Sequence, residues 1–326
     1  MEKNMKESRA LCISHGEDAD GLTCAALLRR LKGVDLILAT YDDLMEALQG
    51  VVPPLDELYI CDLNLREELV PEINRILKFA SVKLIDHHPQ PKEMLQEFRE
   101  AGVEVVHSPR DCASVLLYDQ YREELGREAG RLAAHAAWAD QFEDGPIAEV
   151  LLRDYDRQLT QLEGLMLAYA LTRNQDHGFR SLVVEELTKL TIPHRIAGVS
   201  EIALSHMEDM TQLIDLLPSE VTRMKVLAYI RAPDDQPIGT VAGLVTDSVG
   251  VDVGLCYHEK TGGNVNISIR SKRGLDFHLG DMTRTIASRH AGFGGGHKRA
   301  SGASLPATSL QGFIDDLDEE LVRHCG

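Results

Sequence analysis

Several things are scarce in this sequence, and each shortage removes a class of function. Aromatic residues make up 5% of the 326, and Trp138 is the only tryptophan. A protein that tracks long single strands of nucleic acid needs a row of stacking platforms along a basic groove. Positive charge is also in deficit: 34 Lys and Arg stand against 52 Asp and Glu, for a net charge of −18. Such a chain repels long nucleic acid as a whole, so a nucleotide must be held by a local basic patch. No long nucleic acid partner is expected. No apolar run approaches the roughly 18–20 residues that cross a bilayer, so no membrane partner is expected either. Residues 1–7 place no apolar segment behind a positive start, which predicts no signal peptide and a cytoplasmic location. Six cysteines occur, Cys12, Cys24, Cys61, Cys112, Cys256 and Cys325, and none form a C-x-x-C pair. That argues against a thiolate zinc site and for small buried apolar groups in a reducing compartment.

What is present is a regular alternation. The hydrophobic fraction is 44%, enough for real cores, and the length suits two domains of about 100–200 residues each. Short apolar runs at 11–14, 34–39, 58–61, 82–85 and 103–107 read as strands. Helical spacing follows at 22–31, 69–79 and 113–125, which predicts an α/β fold with a parallel sheet flanked by helices. Residues 130–190 read as helical throughout. A stretch at 190–217, broken by Pro193 and Gly198, reads as a linker helix. Further strands at 226–230, 251–258 and 264–271 follow, the last two joined by a turn at Thr261-Gly262-Gly263. Helices at 282–290 and 310–325 complete a smaller α/β domain with a mixed sheet. The expected division is a catalytic domain at 1–190, a linker helix at 191–218 and a substrate-binding domain at 219–326.

The acidic residues fall at informative places. Ligands of open parallel sheets bind at the carboxyl ends of the strands. The first strand runs into Ser14-His15-Gly16-Glu17-Asp18-Ala19-Asp20-Gly21, the third stops at Asp62, and the fourth stops at Asp86-His87-His88. In an extended segment Asp18 and Asp20 would point to one side, and Gly21 would permit a tight turn into the next helix. Clustered carboxylates repel one another, and a divalent cation relieves the repulsion. Carboxylates mixed with imidazoles suit manganese, iron or magnesium better than a thiolate-seeking ion. Two such ions about 3.5–4 Å apart can activate water and clamp a phosphoryl oxygen. Each element alone has a bland reading: a D-x-D-G is usually a turn, and Asp-His-His can cap a helix. The combination, each after an apolar strand, is far more specific.

The positive charge is concentrated late in the chain. Gly294-Gly295-Gly296 could offer consecutive backbone N–H groups to an anion, beside His297, Lys298 and Arg299. Between 270 and 299 lie Arg270, Lys272, Arg273, Arg284 and Arg289, against Asp276 and Asp281. Arg270 could bind a phosphate bidentately, as lysine could not. Ser114, at a helix start, could donate to a phosphate there, or simply cap the helix. His107, His135, His177, His258 and His290 read as surface or satisfied core histidines.

These residues resemble the four motifs of the DHH phosphoesterase superfamily: His15 with Asp18-Ala19-Asp20-Gly21, then Asp62, then Asp86-His87-His88, then Asp140 followed by Phe142. The segment from Asn266 to Ser271, with Gly294 through Gly302, resembles the DHH-associated domain of subfamily 1. That superfamily includes nanoRNases, phosphatases of 3′-phosphoadenosine 5′-phosphate, dinucleotide phosphodiesterases, single-strand exonucleases and exopolyphosphatases. The resemblance implies a cytoplasmic metal-dependent phosphoesterase holding two divalent cations, manganese foremost, with magnesium, cobalt or iron as alternatives. Asp62 would bridge both ions. His15 and Asp18 would complete one site, and Asp20, His87 and Asp140 the other. A water bridging the ions would attack phosphorus, with Asp86 and His88 helping to position the reacting groups. His297 would reach the substrate phosphate from the second domain. The substrate would be a nucleotide or short oligonucleotide, with inorganic polyphosphate as the alternative, and a homodimer is allowed. Two departures stand out: His15 precedes Asp18 by three residues where several members have four, and Ser301 replaces the usual alanine.

Overall fold

The computed structural model describes residues 9–233 and 236–325, and the side chain of Cys325 lies outside the described residues. So do residues 1–7, on which the signal-peptide reading was made. The chain divides into two compact units, Met1–Met207 and Glu208–Gly326, and the division falls inside one long helix.

The first unit opens with β1 (Ala10–His15), α1 (Ala19–Lys32), β2 (Asp35–Ala39), α2 (Leu44–Gln49), β3 (Glu57–Cys61), α3 (Val70–Ile76), β4 (Ser81–Asp86), α4 (Lys92–Ala101) and β5 (Glu104–His107). Five helices follow: α5 (Ala113–Gln120), α6 (Arg122–Ala139), α7 (Pro146–Leu152), α8 (Arg157–Arg173) and α9 (His177–Thr188); α10 (Val199–Glu220) is the helix that holds the division. The five strands form an all-parallel sheet in the order β2-β1-β3-β4-β5. Its central strands are nearly continuous apolar runs because helices cover both faces. Ile13, Ile60 and Leu84 lie side by side across it and are fully buried. One face packs on α1 and the helices after β5, through Leu22, Leu28, Leu117 and Leu132. The other packs on α2, α3 and α4, through Leu48, Ile73 and Phe98. The chain moves outward from β1 to β2, then returns past β1 to β3. The switch point of the sheet therefore lies between β1 and β3, where a crevice opens at the strand ends.

The second unit contains β6 (Thr222–Arg223), β7 (Leu227–Arg231), α11 (Ile238–Val249), β8 (Val253–Glu259), β9 (Asn264–Ser271), α12 (Leu279–Arg289), β10 (Phe293–Gly296), β11 (Ala300–Pro306) and α13 (Leu310–Cys325). Its mixed sheet has the order β10-β11-β9-β8-β7-β6, with β7 and β8 parallel and the other pairs antiparallel. Leu255, Ile267 and Ile269 pack with Phe313, Ile314 and Leu317 of α13 on one face. Val241 and Val245 of α11 pack with Leu213 and Leu217 of α10 on the other.

Several elements differ from the sequence expectation. The helices α2, α4 and α11 were not anticipated, nor were β6 and β11. The glycine segment is not a loop. Gly294–Gly296 belong to the edge strand β10, paired with β11 from Phe293↔Ser304 to Gly296↔Ser301. Glycine is required there for close approach: a Cβ on Gly296 (φ +140°) would sit 2.4 Å from the Ala300 carbonyl oxygen.

Candidate metal centre

Four connections at one end of the first sheet deliver the candidate ligands. His15 ends β1, and Asp18 is the N-cap of α1, its carboxylate accepting from the Gly21 N–H at 2.9 Å. Asp20 lies within the first turn of α1 and is 1% exposed. The pair is therefore not displayed by an extended segment. The helix begins between the two, so Asp20 turns inward while the Asp18 side chain stays 46% exposed. Gly21 serves close packing rather than a turn, since a Cβ there would meet the His15 carbonyl oxygen at 2.2 Å.

Asp62 follows β3 in a left-handed conformation, φ +56°, which is uncommon for a residue with a Cβ. Its N–H bonds to the Ile85 carbonyl at 2.9 Å, which pins the strained residue against β4. Asp86 ends β4, and His87 and His88 follow it. Asp140 is the C-cap of α6. Phe142 then packs edge-on against the His87 ring, with centroids 4.7 Å apart.

These side chains converge. His87 Nε2 lies 3.1 Å from Asp62 Oδ1 and 3.5 Å from Asp140 Oδ2. His15 Nε2 lies 3.5 Å from Asp18 Oδ2. Ligand atoms of Asp20, His87 and Asp140 lie within 4.8 Å of one another, and those of Asp62, His87 and His88 form a second such group. Both oxygens of Asp62 and one of Asp140 are buried without a hydrogen-bond partner. Burial, and then the charges of Asp18, Asp20, Asp140 and Asp86, push the Asp62 carboxyl well above the usual carboxylate range. Burial, then Asp20 and Asp18, do the same to Asp140. Burial also lowers the His87 imidazole, favouring the neutral ring that can act as a ligand. Orphaned carboxylate oxygens facing one another and a neutral imidazole make a donor set that fits divalent cations of the manganese and magnesium class.

The surroundings hold these groups in place. The first two N–H groups of α5, from Ala113 and Ser114, donate to the two Asp20 oxygens at 2.7 and 2.9 Å. The N-terminus of α5 thus favours the ionised carboxylate. This corrects the expected part of Ser114: its side chain is fully buried, and its N–H is taken up by Asp20 rather than left for a phosphate. Asp86 is fully buried and does not face the carboxylates as a ligand. It accepts from His88 Nδ1 at 2.7 Å and from Gln90 Nε2 at 2.8 Å. Burial alone would raise its pKa, but the His88 bond and the two imidazoles hold it below the usual value. His107, given no part by the sequence, bonds the His88 carbonyl at 2.8 Å. Tyr41 was also missed: its hydroxyl lies 2.7 Å from His88 Nε2, and its ring stacks near His15 at 5.0 Å. A tyrosine in the loop after β2 has no sequence signal of its own, because only the sheet brings that loop beside His88.

In the second unit, Arg270 ends the regular part of β9 opposite Ala300, and the His297 N–H bonds the Ala300 carbonyl at 2.7 Å. Arg270, Gly296 and His297 therefore gather at one end of that sheet. Arg270 Nη1 bonds Ser268 Oγ and the Ile269 carbonyl, at 3.0 and 3.1 Å. The backbone cradle is narrower than the glycines promised. The carbonyls of His297 and Lys298 cap Gly280 and Leu279 of α12, and antiparallel pairing with β11 turns alternate backbone groups of β10 toward its partner.

Comparison with known proteins agrees with this architecture. Residues 224–323 match the family model of the DHHA1 domain. A structure described as the DHH domain of a member of a ribosomal-protein family superposes with a TM-score of 0.71 at 14% identity, over 98% of this chain and 88% of that one. The chain has the DHH fold followed by a DHHA1 domain. A pGpG-specific phosphodiesterase from Vibrio cholerae superposes on it with a TM-score of 0.57 at 14% identity, over 97% of this chain and all of that one. RecJ from Thermus thermophilus, solved with manganese, gives 0.63 at 17% identity over 98% of this chain, which spans about half of RecJ (52%). At these identities the likeness is one of fold. No curated protein sequence matches the chain.

Proposed function

We propose that this protein is a metal-dependent phosphoesterase acting on nucleotides or short oligonucleotides. One observation carries the reading: Asp20, Asp62, His87 and Asp140 converge at the strand ends of a DHH-fold sheet, with buried oxygens of Asp62 and Asp140 left unpartnered and the His15–Asp18 pair at the end of β1. Asp62 is the candidate to bridge two cations, His15 and Asp18 to complete one site, and Asp20, His87 and Asp140 the other. When bound, such cations supply Lewis-acid polarisation of a phosphoryl oxygen and lower the pKa of water. The chain's own groups do the rest. Their fixed charges and dipoles are already oriented before substrate arrives, so little reorganisation accompanies reaction. Asp86 holds the His88 ring beside the ligand cluster. Arg270 and His297 are the candidates to grip the remaining phosphate, within a proposed substrate-binding segment at 219–326 that would follow a catalytic segment at 1–190 and a linker helix at 191–218.

A short nucleotide is favoured over an inorganic chain by a further observation. Phe293, in β10 beside the glycines, is 76% exposed, the most exposed of the large apolar side chains among the described residues. Its face can stack on one base, which polyphosphate lacks. Manganese is the expected ion, the cytoplasm the expected location, and a homodimer is compatible with the reading. The relatives lend support: one is described as a pGpG-specific phosphodiesterase, and RecJ was solved with manganese and with magnesium. The test is hydrolysis by purified protein with manganese, offered pApA, 3′-phosphoadenosine 5′-phosphate and polyphosphate in parallel. Turnover of either nucleotide supports the reading. Turnover of polyphosphate alone supports an exopolyphosphatase-like enzyme. No turnover and no bound metal would leave a non-enzymatic module that kept the fold.

A further inference from the structure

The Asp-His-His segment does not end at a free imidazole. Asp86 only accepts hydrogen bonds, so the contact at 2.7 Å puts the ring hydrogen of His88 on Nδ1. His88 Nε2 lies 2.7 Å from the Tyr41 hydroxyl, which donates to it when the ring is neutral and accepts from it when the ring is protonated. The chain of contacts runs from Gln90 to Asp86, His88 and Tyr41. Both ring nitrogens are occupied, and the His88 carbonyl is held by His107. Tyr41 is itself fixed. Its ring lies at 5.0 Å and 36° to His15 and edge-on to His88 at 5.7 Å, and its carbonyl accepts from Arg66 at 3.2 Å.

We infer that Tyr41 is a positioning residue for the hydrolytic reaction, its hydroxyl fixing the ring orientation of His88. A histidine held only through Nδ1 can swing about that bond. A second contact at Nε2, opposite the first, fixes the ring plane beside Asp62, whose Oδ1 lies 3.9 Å from His88 Nδ1. The same tyrosine touches His15 on its other side, so one residue in the loop after β2 braces groups carried by β1 and β4. This rests on the phosphoesterase reading for its kinetic consequence, while the His88 geometry stands independently of it.

Tyr41→Phe removes the hydroxyl and keeps the ring against His15. Loss of one hydrogen bond to a reacting-site group corresponds to about 1.4 kcal/mol, or roughly tenfold. The expected result is a tenfold lower kcat with KM and manganese affinity within about twofold of the parent. In a His88→Ala background the same substitution has no further effect, because Tyr41 acts through that ring. A parent-like kcat in Tyr41→Phe, an equal loss in the His88→Ala background, or a loss confined to manganese affinity would each overturn the inference. Nitrogen-15 spectra of the His88 ring give a readout that needs no turnover. In the parent, Nδ1 carries the hydrogen, and Tyr41→Phe shifts the Nε2 resonance as its hydrogen-bond partner is lost. An unchanged ring spectrum overturns the inference even if the enzyme is inactive. An inactive parent with the expected shift instead overturns the phosphoesterase reading alone.

Discussion

The two units carry candidate functional residues in opposite ways. In the first, Asp20, Asp62, Asp86 and His87 are buried, and each has a backbone or side-chain partner: Asp20 from α5, Asp62 from β4, Asp86 from the segment just after it, and His87 from Asp62. In the second, His297, Lys298, Arg299 and Phe293 are exposed on an edge strand and its turn, and Arg270 is half-buried. The first arrangement suits a site that must be rigid and charged before anything binds. The second suits a surface that grips a flexible ligand. The cost differs accordingly. Burying several carboxylates together destabilises the metal-free fold, whereas exposed arginines and a phenylalanine cost little.

The sharpest way to break the contrast is Asp62→Asn. It removes one buried charge at little change of volume. Manganese should cease to raise the melting temperature, where the parent gains about 2.7 kcal/mol at a metal concentration 100 times Kd. Hydrolysis should fall by about 10²–10³-fold or more. The metal-free variant should melt at or above the parent. Thermal melts with and without manganese, beside the hydrolysis assay, decide all three, and a retained metal-induced shift would remove Asp62 from the centre.

Acid stability probes the same contrast. Burial, with Arg131 nearby, lowers the His135 imidazole to about 3, so the folded ring stays neutral where the unfolded chain takes up a proton. The associated stability is complete above about pH 6.5 and drains as pH falls toward 3, by up to about 1.4 kcal/mol per pH unit. Urea titrations across that range should show the slope, and His135→Gln should flatten it. An equal slope in both proteins would assign the acid sensitivity elsewhere.

In the second unit the effects should be on binding. Arg270→Lys keeps the charge but loses the planar fork, and should raise KM for a nucleotide about tenfold with manganese stabilisation intact. Steady-state kinetics beside thermal melts would test this, and a fall in kcat without a change in KM would contradict it. The smallest expected effect is that of Phe293→Ala. One lost stacking contact is worth about 1 kcal/mol, or roughly fivefold in KM for nucleotides, with none for polyphosphate. An equal effect on both substrates would mean the ring does not meet a base.

Much of the architecture was legible in the residues. Apolar runs ending at His15, Asp62 and Asp86-His87-His88 marked the three central strands and the edge at which these residues gather. Burial on both faces leaves parallel strands with an unbroken apolar signal, and loops at their ends must be polar. Residues 264–271 and 310–325 match β9 and α13 to the residue, because each has an unambiguous period and clear turn or breaker signals beside it. The strands β10 and β11 did not show. Phe293-Gly294-Gly295-Gly296 has almost no side chains, and Ala300–Pro306 is mostly small, so neither carries the bulk that marks a strand.

The sequence by itself therefore determined which residue types stand at the strand ends, and so the class of chemistry they can support. Charge, ligand type and spacing along the chain are local properties, and they do not depend on tertiary packing. Tertiary structure alone decided how those groups are held. It set the left-handed Asp62 against β4, turned the start of α5 toward Asp20 instead of a substrate, and laid Tyr41 across His88. Each of these joins residues from 23 (Asp62 and Ile85) to 94 (Asp20 and Ser114) positions apart. Partners so distant meet only through sheet order and helix packing, which no local pattern records.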